Sequence, residues 1–100
     1  MKPAVIHSEA RAELDAAICF YESRAKGLGL DLQANVERAV RAIQRSPEAW
    51  PPHKDSGFRK YFVERFPFIV FYVEMADCIW IAAIAHASRR PGYWTTRQPE

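Results

Sequence analysis

Pro67-Phe68-Ile69-Val70-Phe71-Tyr72-Val73-Glu74-Met75, then Ala76-Asp77, then Cys78-Ile79-Trp80-Ile81-Ala82-Ala83-Ile84-Ala85-His86: the fold turns on this stretch. Both flanking runs are rich in Phe, Tyr, Val and Ile, side chains that fit a pleated, half-buried surface. The Ala76-Asp77 break between them reads as a hairpin turn. Phe68, Val70 and Tyr72 alternate with Ile69, Phe71 and Val73, so both parities are apolar. Strands of that kind are central in a sheet, or carry a packed partner on the second face.

Upstream, Phe58–Arg65 has the same character and is expected as a third strand, preceded by the Pro-rich loop Ser46–Gly57. Before that loop the pattern is helical. Leu14, Ala17, Ile18 and Tyr21 fall on one face of a helix running to about Lys26. Ser8 is expected to cap its start, Glu9 to complement its dipole, and Gly27 and Gly29 to stop it. Leu32, Val36, Ala39, Val40 and Ile43 form the stripe of a second helix, with Arg38, Arg41, Gln44 and Arg45 turned elsewhere, until Ser46-Pro47 breaks it. Ala4-Val5-Ile6 reads as a short first strand. The order is β-α-α-β-β-β: an α+β fold in which a helical hairpin packs on a small, mainly antiparallel sheet, as one domain over residues 1–100.

Composition narrows the function classes. With 49% hydrophobic and 13% aromatic residues and a net charge of +2, the chain lacks the signature of disorder. The longest uncharged runs, Phe66–Val73 and Cys78–Ser88, fall short of the ~20 apolar residues of a membrane span. Only Ala4–Ile6 is apolar near the start, against the roughly 7–15 residues of a signal peptide, so a cytoplasmic location is expected. Cys19 and Cys78 have no ligand or disulfide spacing and read as small buried hydrophobes. Residues 1–50 hold seven basic and seven acidic side chains, whereas residues 51–100 hold seven basic and five acidic. From His86 to Arg97 there are three arginines, one histidine and no acid, which directs attention to an anionic partner there.

His7, His53 and His86 are far apart with no carboxylate at helical ligand spacing, so neither a metal nor a cofactor is expected. The remaining chemistry is cationic and aromatic: Lys54, Arg59, Lys60 and Arg65 around the first long strand, then His86, Arg89, Arg90, Tyr93, Trp94 and Arg97 after the last. If the strands are neighbours, the two sets meet on one side of the sheet. Such groups suit metal-free RNA cleavage by 2′-hydroxyl attack, which needs a base, cations on the developing charge and a proton for the leaving oxygen. Arginine clamps phosphate but is a poor base. His53, His86, Lys54 and Tyr93 are therefore the proton-transfer candidates, and Tyr93 and Trp94 could stack on an unpaired base. The same residues also suit solvated strand faces, a strand-end histidine and aromatic anchors for the tail.

Phe58-Arg59-Lys60-Tyr61, the step Arg65-Phe66-Pro67-Phe68 and the ending His86-Ala87-Ser88-Arg89-Arg90-Pro91-Gly92-Tyr93-Trp94, in this order of elements, resemble the RelE/ParE superfamily of toxins from bacterial type II toxin–antitoxin modules. The resemblance covers nearly the whole chain. In RelE-like members, which cleave mRNA on the ribosome without a metal, it implies catalytic positions at Lys54 or His53, Arg59, Arg89 or Arg90, and Tyr93. Arg65, His86, Arg90 and Trp94 would contact the target or nucleic acid. The Arg-Phe-Pro-Phe step and the Tyr-Trp ending are more similar to the ParE-type, plasmid-stabilisation branch, whose members poison DNA gyrase.

Either branch implies growth inhibition and a cognate antitoxin, with apolar surface on Leu28, Leu30 or the aromatic strands left open without it. The free chain would then be poorly soluble or a homodimer and, with antitoxin, a hetero-oligomer. The resemblance favours the gyrase-directed toxin over the mRNA endonuclease. A non-toxic, basic nucleic-acid-binding module is the alternative from a different class.

Overall fold

A computed structural model describes residues 1–100. The elements are β1 (Ala4–Ile6), α1 (Ser8–Arg24), α2 (Leu28–Arg45), β2 (Arg59–Phe62), β3 (Phe68–Glu74) and β4 (Ile79–His86). The sheet order is β1-β4-β3-β2, with β1 parallel to β4 and the other pairs antiparallel. The expected order of elements and the mainly antiparallel sheet are both present. β3 and β4 are the central strands, as their two apolar faces require.

One sheet face carries the helical hairpin. Phe68, Val70 and Tyr72 of β3 and Ile79, Ile81 and Ile84 of β4 pack there with Ala10, Leu14, Leu32, Val36, Ala39 and Ile43 of the helices. The other face carries Phe71, Trp80, Ala82, Ala83 and Ala85 and is closed by Trp94, with Phe58 and Tyr93 beside it. The second apolar parity thus has its own packed partner, the C-terminal tail. A bulge reconciles the two faces: Phe71 pairs with Ala83 and Tyr72 with Ile81, so Ala82 opposes no residue. The extra residue resets the alternation and allows Ile81 and Ile84, three apart, to face the helices together.

Several local expectations are corrected. The first helix is capped by His7, whose Nδ1 accepts the Glu9 amide at 3.1 Å, and Ser8 is the first helical residue. The Ser8 amide and hydroxyl instead bond to the Glu100 carboxylate. α1 ends at Arg24, and only Gly27, at φ +85°, belongs to the turn. Gly29 lies inside α2, where a Cβ would stand 2.4 Å from the Ile18 carbonyl, so its missing side chain is what lets the helices approach. Glu22 ties the same turn by accepting the Gly27 and Gly29 amides at 2.8 and 2.9 Å. These bonds hold its carboxyl below its ordinary pKa.

β2 is shorter than expected, because Phe58 precedes it and the chain leaves the ladder after Phe62. Cys19 is exposed and Cys78 half-buried, so neither is a core residue. Cys19 misses the inward stripe of a helix that buries only Ala10 and Leu14 fully. No helix is long and apolar enough to cross a membrane.

Candidate functional site

β1 is only three residues long and pairs with Ile79–Ile81, so β4 loses its outer neighbour from Ala82 onward. Two side chains take over the vacated edge. Glu13 Oε1 accepts the Ile84 amide at 3.1 Å, and Arg97 Nη1 donates to the Ala82 carbonyl at 2.9 Å. Glu13 also accepts Arg97 Nη2 at 2.8 Å and the Tyr93 hydroxyl at 2.5 Å. One carboxylate therefore joins α1, β4 and the tail. Burial, then the hydrogen bond to Glu13 and its charge, push the Tyr93 phenol well above its ordinary pKa. Burial is the largest single influence on Arg97 and opposes its charge, but the hydrogen bond to Glu13 and the charges of Glu13, Tyr93 and Glu9 together outweigh it, and the guanidinium is held above its ordinary value.

Beside this junction lies an open groove of about 660 Å³. Ala12, Ala16, Ala17 and Phe20 of α1, with Phe68 and Ile84, provide its apolar part, and His86, Arg89, Tyr93 and Arg97 face Glu9 and Glu13 in its polar part. Arg89 lies 4.0 Å over the Tyr93 ring. Phe20, half exposed, and Leu30, 63% exposed, add uncovered apolar surface on the helical hairpin.

A second, smaller pocket of about 150 Å³ opens on the tail side of the sheet. His53 and Lys60 line it from one side and His86, Arg89 and Arg90 from the other, with Phe71 and Trp94 among its apolar residues. His86, Arg89 and Tyr93 border both cavities. The His53 pKa is lowered, first by burial and then by Lys60 and Lys54.

The two cationic sets named from the sequence come together only in part. β2 and β4 are not neighbours, yet Lys60 and the tail meet across β3. Arg59, one residue earlier, turns the other way: Nη1 donates to the Trp50 carbonyl at 2.7 Å. Lys54 is exposed with φ +51° and lines neither cavity. Arg65, also with positive φ, lies 3.7 Å from Asp31 and 5.6 Å from the Phe66 ring centroid. Trp94 is 1% exposed and stacks on Phe71 with ring centroids 4.4 Å apart, so with the tail docked its face is not open to a base. His86 packs edge-on against Phe68, and its Nδ1 accepts the Ser88 amide at 3.0 Å. Glu13 escaped the sequence reading altogether. It sits on a polar position of α1, and nothing local distinguishes it from Glu9.

A helical hairpin on a four-stranded mixed sheet, with a cationic and aromatic tail closing the back face, defines the class: this is the RelE/ParE-like fold. No family model and no curated protein matches the chain. Among solved structures, one described as the chromosomal ParDE TA system from P. aeruginosa is similar, with a TM-score of 0.75 at 24% identity. The match covers 88% of this chain and 98% of that one.

Proposed function

We propose that this chain is the toxin of a type II toxin–antitoxin module, of the ParE-like kind, which inhibits bacterial growth by poisoning DNA gyrase and is neutralised by a cognate antitoxin. The observation that carries the reading is the fold shared over 98% of a ParDE chain. The arrangement of the proton-transfer candidates favours the gyrase target over mRNA. Cleavage at a 2′-hydroxyl needs an available base. Of the four candidates, the Tyr93 hydroxyl is committed to Glu13, His86 Nδ1 accepts the Ser88 amide, and Lys54 lies outside both cavities, which leaves His53 as the one free base, while the clamping Arg59 is committed to a backbone carbonyl. The groove beside α1, with Phe20 exposed at its side, has the apolar and mixed-charge character that an antitoxin segment would cover.

Induced expression without antitoxin tests the reading. Growth arrest with SOS induction and gyrase-linked DNA breaks, while mRNA stays intact, is the expected result. Ribosomal A-site cuts in RNA 5′-end maps would replace gyrase with mRNA as the target. Unaffected growth would overturn the toxin reading, and an adjacent reading frame for a small DNA-binding antitoxin would support it.

A further inference from the structure

The chain covers the edges of its own sheet, except along β1. Beyond β2 the preceding loop supplies a neighbour: the Lys60 amide donates to the Pro51 carbonyl at 3.0 Å, and Pro52 bridges Arg59. Beyond Ala82, Glu13 and Arg97 serve β4 in the same way. On β1, the Pro3 carbonyl accepts the Ile79 amide and the His7 amide donates to the Ile81 carbonyl, so the odd-numbered residues face β4. The amide and carbonyl groups of Ala4 and Ile6 therefore point away from it. Gln44 reaches only the Lys2 carbonyl, ahead of the strand. An edge left in this state is a template for another strand.

Both faces beside this edge are unfinished. On one, Val5 is 48% exposed. On the other, Ile6, Val36 and Val40 line a groove of about 310 Å³, with Arg11, Glu37 and Arg41 exposed around it. Opposite charges share this groove, yet none of the three forms an ion pair within the chain. Gln44 bonds to Lys2 while Val36 and Val40 lie beside Ile6, so α2 runs back along β1.

We propose that β1 pairs antiparallel with β1 of a second copy about a two-fold axis at Val5, joining the two sheets into one, with Glu37 of each copy facing Arg41 of the other. The surface is its own complement, as a two-fold interface requires. An axis at Val5 sets Ala4 opposite Ile6 of the partner subunit twice, and each pair exchanges both main-chain hydrogen bonds. It also brings the two exposed Val5 side chains together. Glu37 and Arg41 are one helical turn apart, so the same axis passing between them pairs each with the other's counterpart. A strand from an unrelated protein would satisfy the edge but leave these charges unmatched. The surface shares no lining residue with the groove beside α1, so it stands independently of the toxin reading.

The test is analytical ultracentrifugation of the full chain over a wide concentration range, with amide hydrogen exchange on the same samples. The expected result is a concentration-dependent doubling of mass, with exchange at Ala4 and Ile6 slowing in step. Val5→Lys, which sets like charges face to face, and Glu37→Arg should each raise the dimer dissociation constant about tenfold. Adding Arg41→Glu to Glu37→Arg restores the opposite-charge pairs and should return the constant to within about threefold of the parent value. Near-ultraviolet circular dichroism of buried Trp94 verifies that each variant is folded. A single-chain mass at every concentration would overturn the proposal. So would a dimer in which Ala4 and Ile6 exchange as fast as in the monomer, or one that Arg41→Glu fails to rescue. Protection of the two amides only after the cognate antitoxin is added would give the edge to the antitoxin instead.

Discussion

Glu13 of α1 and Arg97 of the tail form a two-pronged ion pair, 2.8 Å between Nη2 and Oε2 and 3.2 Å between Nη1 and Oε1, at the point where β1 ends. Their side chains are 14% and 10% exposed. Removing either partner strands a largely buried charge together with an unpaired strand edge. Glu13→Ala should therefore lower stability by about 3 kcal/mol. Arg97→Met should cost a similar amount, and the double variant less than the two combined, because the second change removes the stranded charge. Urea unfolding of the four proteins measures this, and simple additivity would dissolve the proposed coupling.

Gly29 is a second fixed point. Its missing side chain faces the Ile18 carbonyl, a backbone atom that cannot rotate away. Gly29→Ala should force the helices apart and cost about 1–3 kcal/mol, although alanine is intrinsically the better helix former. A thermal midpoint at or above that of the parent protein would contradict the close approach.

Tyr72 sets an alkaline limit on the fold. Its ring is fully buried, its hydroxyl donates to the Pro47 carbonyl at 2.8 Å, and burial pushes its pKa up to about 12. The unfolded phenol titrates near ~10, so the folded state holds the proton more tightly. This contribution is complete below about pH 10 and is lost as pH rises toward about 12, amounting to about 2–3 kcal/mol. Tyr93 works in the same direction. Tyr72→Phe should cost about 1 kcal/mol at neutral pH and flatten the decline above pH 10. A decline of unchanged steepness would place its origin elsewhere.

Phe20 tests the docking groove. It is 51% exposed and makes an edge contact with Tyr21, so Phe20→Ser should change stability by less than about 1 kcal/mol. On the toxin reading, the same change should weaken capture of the cognate antitoxin in co-purification. Undiminished capture would move the docking surface away from this groove.

Local pattern carried much of the fold and less of the site. The stripe Leu32, Val36, Ala39, Ile43 is buried as a helical face should be, and β3 and β4 are central as their doubled apolar parity requires. Gly29 reads as a helix stop because a glycine near a turn has the same local signature whether it stops a helix or admits a neighbouring one. Ser8 has the stronger capping preference, yet His7, which has none, holds the cap position.

From sequence alone follow one helical hairpin, one central β-hairpin, a short leading strand and a cationic, aromatic tail, because periodicity and turn chemistry are local properties. Only the tertiary structure decided how the cations divide. Adjacent strand residues point to opposite faces, so register against β3 sends Lys60 to the tail-side pocket while Arg59 turns to the Trp50 carbonyl. The bond from Arg97 to Glu13 spans 84 residues of chain, a distance over which no local pattern can signal that two side chains will share one strand edge.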